Sequence, residues 1–334
     1  MKVGIIGFGK MGMLHAALLN QMDNVELTSI SEKSGFIRAA AKAIIPYLRY
    51  YKDHNTMIRK EHLDAVVVCT PTFTHMDIAQ AAIRNGVDVF IEKPLSNNLR
   101  SALDFQTELI SRDRVCMVGY CMRYAPTFRK AGQLLKQGII GKVNEVYGCA
   151  YIADVFRAEK GWRYNPQASG GGVIIDFSVH ILDLLHWYFG DVTTLSATTK
   201  KLYSSEVEDE ASISLNFADG CQANVETSWS KEDCRKAFYM IEITGDRGFL
   251  KVTDQTIHIK TKEREEEIYY PDVYEGYFVD IAGGQYSHQI TDFIDLCRTR
   301  EKQENSIDSA VHIQAIVDAI YSSAQCNETV KVKG

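Results

Sequence analysis

The chain has 334 residues, 46% of them hydrophobic and 24% charged, with a formal net charge of −6, which fits a soluble globular protein of about two domains. That balance excludes an electrostatic footprint for nucleic acid or an acidic membrane, and the apolar runs read as too short to span a bilayer. Eight scattered cysteines show no CxxC pair and no Cys/His metal spacing, so we expect free thiols, no metal and a cytoplasmic location, the N-terminus starting at once in strand-like sequence.

Residues 2–7, KVGIIG, read as a strand. They run into Gly7-Phe8-Gly9-Lys10-Met11-Gly12 and a helical pattern to about Met22. GxGxxG between a strand and a helix is the context that gives this motif meaning. The first glycine makes the turn, the second lets backbone approach a pyrophosphate, and the third packs helix on strand. The segment Gly7, Gly9, Lys10, Met11 and Gly12 is therefore a candidate cofactor cradle at a helix N-terminus.

The next strand, Val25–Ile30, leads to Glu32, 20 residues past Gly12. An acid there binds the ribose hydroxyls of NAD and repels a 2′-phosphate. Lys33, Ser34 and Arg38 could instead cradle that phosphate, so NAD is expected and NADP is not excluded. Residues 36–60 read as helical with a break at Pro46, and YLRYYKDH as surface. Leu63–Cys69 is a buried strand ending in Thr70-Pro71-Thr72-Phe73-Thr74-His75. A helix follows to about Asn85, then strand Asp88–Ile91 ends in Glu92-Lys93-Pro94. Alternating strands and helices predict a doubly wound parallel sheet, which binds ligands at the carboxyl ends of its strands. Thr70, Pro71, His75, Glu92 and Lys93 are thereby candidate cofactor contacts. The Lys93 ammonium is also placed to hydrogen-bond a substrate hydroxyl and stabilise an alkoxide.

A helix over 97–111 and a strand over 114–119 extend that sheet. Gly119–Pro126 reads as the crossing into a second domain, with Arg123 and Tyr124 either lining a site or packing as hinge residues. A helix from Phe128 to Gln137 and a strand Val143–Asp154 follow, then a loop with Trp162, Arg163, Tyr164 and Asn165. Trp and Tyr faces suit a sugar ring, and Arg163 could pair with a substrate carboxylate or phosphate. Residues 170–190, GGGVIIDFSVHILDLLHWYFG, carry Asp176, His180 and Asp183 at spacings that share one helical face. Polar groups in so apolar a helix need partners, and an Asp four residues before a His suits acid–base work at an imidazole's ordinary pKa of about 6.5. Beyond Gly190, strands are expected over 192–203, 210–217, 221–230, 236–244, 248–253 and 256–261. KEREEE (262–267) then reads as a solvated edge, 272–285 as an aromatic loop helping to close the substrate site, and 286–300 and 307–325 as helices before a VKV strand.

GxGxMG, TPTxxH, EKP and GGG followed by DxxxH, in this order across most of the chain, resemble the glucose–fructose oxidoreductase / inositol dehydrogenase / MocA family. The GxxxRxxP segment at Gly119 and GWRYNP at 161–166 add to the likeness. The resemblance implies an N-terminal Rossmann domain, residues 1–122, and an α+β domain with a large, mainly antiparallel sheet, residues 123–334, whose final helices pack back on the first. It implies NAD or NADP, a small polyhydroxylated substrate, and self-association through the second sheet as a dimer or tetramer. It makes Lys93, Asp176 and His180 the catalytic set and gives the Lys93–Pro94 peptide as cis. Lys93, Arg123, Tyr124, Trp162, Arg163, Asp176 and His180 are the expected substrate contacts. Ser178, where the family often has glycine, and Ala125, where asparagine is common, depart from the pattern. The expected activity is interconversion of a secondary alcohol and a ketone on a sugar, cyclitol or nucleotide-sugar derivative. Redox-assisted glycoside hydrolysis and a non-catalytic sensor are the alternatives.

Overall fold

β1 (Lys2–Ile6) is fully apolar after its first residue and lies at the centre of a parallel sheet, as a strand buried on both faces must. It is followed by α1 (Lys10–Leu19), β2 (Glu26–Ser31) and α2 (Gly35–Ile44), the last opened by the Ser34 side chain accepting from the Ile37 N–H. The expected helix over 36–60 is interrupted: Arg49–Tyr51 forms β3, paired in parallel with Ser29–Ser31 at the sheet edge. Tyr50 Oη ties this strand back to the carbonyls of Ala41 and Ile45. A three-residue aromatic strand carries too little alternation to be told from a helix tail. α3 (His54–Glu61), β4 (Ala65–Val68), α4 (His75–Arg84), β5 (Asp88–Ile91), α5 (Leu99–Arg112) and β6 (Cys116–Val118) complete the order β3-β2-β1-β4-β5-β6. The strand order reverses between β1 and β4, the switch point at which such sheets bind ligands.

This computed structural model describes residues 1–270, 284–301 and 306–333. The chain divides into two compact units, Met1–Gly119 with Tyr286–Val311, and Tyr120–Gln285 with His312–Gly334. In the first unit, Phe293 of the helix Gly284–Thr299 packs edge-on against Phe90, 5.6 Å between ring centroids.

The second unit opens with α6 (Pro126–Lys136), with proline in its first turn, and β7 (Val143–Tyr151). α7 (Pro166–Ser169) ends at left-handed Gly170, and beyond the glycines a π-helical turn Ile174–Ser178 and α8 (Val179–Phe189) make an apolar helical stretch. Pro166–Phe189 is long and apolar enough to cross a membrane, contrary to the expectation from apolar run lengths, but 83% of its most apolar window is buried within the protein, as in a core helix. β8 (Val192–Lys200), β9 (Glu210–Phe217), β10 (Gln222–Ser228), β11 (Phe238–Gly245), β12 (Gly248–Thr253), β13 (Thr256–Thr261) and β14 (Glu265–Tyr269) follow. After the helices Gly284–Thr299 (α9) and Ile307–Cys326 (α10), β15 (Val330–Lys331) ends the chain. The nine strands are antiparallel except for β7 beside β10. Alternating burial, as in β9 and β10, sets one face on the core and leaves the other open. The charge run at 262–267 is a turn into the edge strand β14, where charges discourage further pairing. The aromatic loop expected over 272–285 lies almost wholly outside the described residues.

Candidate active site

In the first unit the glycines of the turn after β1 separate into two kinds. Gly7 has φ +90°, and a Cβ there would lie 2.6 Å from the Cys69 carbonyl oxygen; one at Gly12 would lie 2.0 Å from the Gly7 oxygen. The protein's own packing demands both. Gly9 has an ordinary φ of −78°, and a Cβ built on it meets nothing within 4 Å. It caps α1 with no side-chain bond. Open space at the N-terminus of a helix, kept clear by a glycine that the fold does not require, fits a dinucleotide pyrophosphate.

Glu32 lies beside this turn. Its carboxylate accepts from the Phe8 N–H at 2.8 Å and the Ser34 N–H at 2.7 Å. Arg38 Nη1 donates to the backbone oxygens of Glu32 and Lys33 at 2.6 and 3.2 Å. Arg38 therefore braces the loop that carries the acid, and the arrangement favours ribose hydroxyls over a 2′-phosphate.

The two later strand ends are tied together. His75 is buried, with Nδ1 2.9 Å from the Pro94 oxygen and Nε2 2.8 Å from the Thr70 oxygen. Burial pushes its imidazole pKa down, against the carbonyl contacts. The ring thus links the Thr70-Pro71 segment to the Lys93–Pro94 peptide, which is cis. Lys93 is half-buried. Sequence reasoning missed His15, three residues beyond the glycine motif: its Nε2 is 2.7 Å from Glu92 Oε1, with the imidazole wholly buried. His15 thus ties α1 to the residue that follows β5. Its signal was the helical spacing that aims it back at the sheet.

In the second unit, glycines 171 and 172 serve the helix start. A Cβ on Gly171 would fall 1.8 Å from Tyr321 Oη, and one on Gly172 would fall 2.1 Å from the Glu208 oxygen. The buried Glu208 carboxylate accepts from the N–H groups of Gly172 and Ile174 and from Tyr321 Oη. Burial pushes Glu208 up, and these bonds oppose it. No local pattern marks this anchor, which is made 36 residues away.

Asp176 sits in the π-helical turn and His180 in the first turn of α8. The π turn alters the phase on which one shared face for Asp176, His180 and Asp183 was expected. Asp183 instead forms a buried pair with Arg123: Nε to Oδ2 at 2.7 Å and Nη2 to Oδ1 at 2.6 Å, the side chains 6% and 0% exposed. Arg123 also lies 5.9 Å from the Trp187 ring centroid. Arg123 and Tyr124 are both buried. Ser178 uses its hydroxyl to bond the Val173 oxygen and Thr227 Oγ1, stitching the turn to β10. His180 is buried edge-on to Tyr239 at 5.9 Å, and Phe177 packs on the same ring at 5.0 Å.

Arg163 reaches Asp176 from the loop before the helix. Its Nε and Nη2 each lie 2.7 Å from Asp176 Oδ2, and its Nη1 lies 2.6 Å from Asp154 Oδ2. The side chains of Arg163, Asp176 and Asp154 are 33%, 25% and 41% exposed. Burial works against the guanidinium charge, but the two carboxylates outweigh it and push the pKa up. Asp154 lies only nine residues before Arg163, but the loop between them has no regular period from which the pairing could be read. Trp162 is exposed.

His186, Asp191 and His312 form a group of metal-type donors. Both nitrogens nearest Asp191 are engaged: His186 Nδ1 with the Gly190 oxygen at 3.0 Å, and His312 Nε2 as acceptor from the Val192 N–H at 3.0 Å. A metal would have to displace both bonds.

A doubly wound sheet with an open glycine turn at a helix N-terminus and an acid beside it, followed by a sheet domain carrying a half-buried Asp and a buried His on one helical stretch, is the architecture of a dinucleotide-dependent oxidoreductase. A family model described as "Oxidoreductase family, NAD-binding Rossmann fold" matches residues 1–120, and the "GFO/IDH/MocA C-terminal domain" matches residues 128–251. The chain belongs to the Gfo/Idh/MocA family and is an NAD-dependent dehydrogenase. It is 28% identical over 262 residues to a myo-inositol 2-dehydrogenase of Thermotoga maritima, covering 74% of each chain. It is 27% identical to a D-apiose dehydrogenase of Paraburkholderia graminis, over 78% of this chain and 70% of that one. Among solved structures, a levoglucosan dehydrogenase in complex with NADH and L-sorbose superposes with a TM-score of 0.90 at 21% identity, covering 100% and 99% of the two chains; this likeness shows the shared fold.

Proposed function

We propose that this chain interconverts a secondary alcohol and a ketone on a sugar, cyclitol or sugar derivative, with Lys93, Asp176 and His180 as its catalytic residues. The observation that carries the reading is the pair on one helical turn: a buried imidazole and, four residues before it, a part-exposed carboxylate held by Arg163. NAD, when bound, accepts the hydride that leaves the alcohol carbon. His180 takes the hydroxyl proton as the C–H bond breaks, and it returns that proton in the reverse direction. The Lys93 ammonium, at the end of β5, is a donor suited to hydrogen-bond a substrate oxygen and stabilise developing negative charge. Asp176 accepts from a neighbouring substrate hydroxyl and fixes the ring. Gly7, Gly9, Lys10, Met11, Gly12, Glu32, Thr70, Pro71, His75 and Glu92 hold or shape the NAD site. The names of the relatives, inositol and apiose dehydrogenases, support a polyol substrate.

His180→Ala and Lys93→Ala are each expected to lower kcat by about 10²- to 10⁴-fold while NADH affinity, read by nicotinamide fluorescence, stays near that of the wild type. Wild-type rates in both variants would contradict the assignment.

We also assign self-association to the open face of the nine-stranded sheet. That face is organised rather than loose: Glu226 accepts from Tyr147 and Tyr151, and Lys231 lies 5.1 Å from the Tyr151 ring centroid. Light scattering reporting a monomer at micromolar concentration would overturn this. The eight free thiols fit a reducing cytoplasm.

A further inference from the structure

Arg163 lies between two carboxylates and against an aromatic floor. Asp176 takes the Nε/Nη2 edge of its guanidinium and Asp154 takes Nη1. Arginine recognises carboxylates and phosphates through these forked edges, and three of its five N–H donors are already committed to the protein's own acids. The guanidinium carbon lies 5.0 Å from the Trp229 ring centroid and 5.9 Å from that of Tyr164. Trp229 is itself fixed, wholly buried with its indole N–H on Asp209 Oδ1 at 2.6 Å. The arginine is thus held from below as well as from both sides, on a rigid support.

Two carboxylates share one guanidinium, which leaves one net negative charge on a cluster that is part-exposed. An anionic substrate group approaching Arg163 would either displace Asp154 or Asp176 or share the guanidinium with both, and in each case it would sit beside a like charge. A hydroxyl or an ammonium faces no such penalty.

We propose that Asp154, Arg163 and Asp176 form a charge filter on the substrate. In it Arg163 is a positioning residue that orients Asp176, and the surplus carboxylate admits neutral polyols and amino sugars while rejecting sugar acids and sugar phosphates. This rests on Asp176 being a substrate contact, as proposed above. It reverses the expectation that Arg163 binds a substrate carboxylate or phosphate.

The test uses D-glucose, D-glucosamine and D-glucuronate, which share one ring and differ in charge, with myo-inositol as a second neutral probe. Each is assayed with NAD for kcat/KM and, separately, with NADH present for ligand-induced thermal stabilisation. In the wild type, glucuronate is expected to fall at least about 100-fold below the neutral probes. Asp154→Asn removes the surplus charge, so the acid-to-neutral ratio should rise about tenfold or more. Arg163→Met unmasks both carboxylates, so that ratio should fall and the amino-sugar-to-neutral ratio should rise. Arg163→Lys keeps the charge but loses the fork, and should recover part of the kcat lost in Arg163→Met at unchanged NADH affinity. A merely structural arginine would not move the two charge ratios in opposite directions. Preference of the wild type for glucuronate, or ratios unmoved in both Asp154→Asn and Arg163→Met, would overturn the filter. The thermal readout needs no turnover: if no probe reduces NAD, the dehydrogenase reading falls, and the ranking of thermal shifts still decides the filter.

Discussion

Arg123 and Arg163 each reach a carboxylate on the same helical stretch, Asp183 and Asp176, with N–O distances of 2.6 to 2.7 Å in both pairs. The first pair is sealed: bidentate, wholly buried, with Trp187 beside the guanidinium. The second is part-exposed and shared with a further acid, Asp154. The two ion pairs therefore share their chemistry and differ in their access to water. In the sealed pair burial pushes the Asp183 carboxyl up while Arg123 pulls against it, so the carboxylate depends on the guanidinium to remain charged. In the open pair the partner carboxylate stays within reach of a ligand.

The contrast can be broken at either end. The largest effect is expected at the sealed pair. Asp183→Asn or Arg123→Met strands one buried charge and should cost about 3–5 kcal/mol of stability, read by urea denaturation. A loss below about 1 kcal/mol would show that the pair is solvated in solution. Next is the support under the open pair. Asp209 accepts from the N–H groups of Leu202, Tyr203 and Ser204, from Ser204 Oγ and from Trp229 Nε1. Burial pushes Asp209 up, but these bonds together hold it below the usual carboxylate range. A carboxylate with a depressed pKa in the folded state adds stability that is full above its unfolded value of about 3.9 and is lost as pH falls through the folded value. Asp209→Asn should therefore cost about 1–3 kcal/mol at neutral pH, and the gap between variant and wild type should close below about pH 4. A gap independent of pH would contradict the assignment. The smallest stability effect is expected at the open pair itself: Arg163→Met should change stability by no more than about 1 kcal/mol, although it lowers turnover.

Both arginines were equal candidates in the sequence, because burial is a tertiary property and GYCMRYAP and GWRYNP look alike as basic-aromatic loops. Local patterns were more legible. The turn glycines, Glu32, the strand ends at Thr70 and Lys93 and the parallel sheet all follow from spacing and periodicity within a few tens of residues. What escaped was either too short to show a period, like β3, or was completed from far along the chain. His15 meets Glu92 and Glu208 anchors the GGG turn, whereas Asp154 is only nine residues from Arg163 but joined to it by a loop with no regular period. The π turn at Ile174–Ser178 escaped for a related reason: ideal helical spacing placed Asp176 and Asp183 on one face, whereas one extra-wide turn sends them to different partners. Ser178, the departure from the family's usual glycine, is explained by its bonds to Val173 and Thr227.

The most direct test is a stoichiometric one. Purified protein is incubated with NAD and a panel of inositols, free sugars, sugar acids and glycosides, and nicotinamide absorbance is followed alongside mass analysis of the sugar. The account predicts net NADH formation matched one-to-one by a ketone product from a neutral or amino-bearing polyol. Cleavage of a glycoside without net NADH, or tight NADH binding with no compound oxidised, would contradict it.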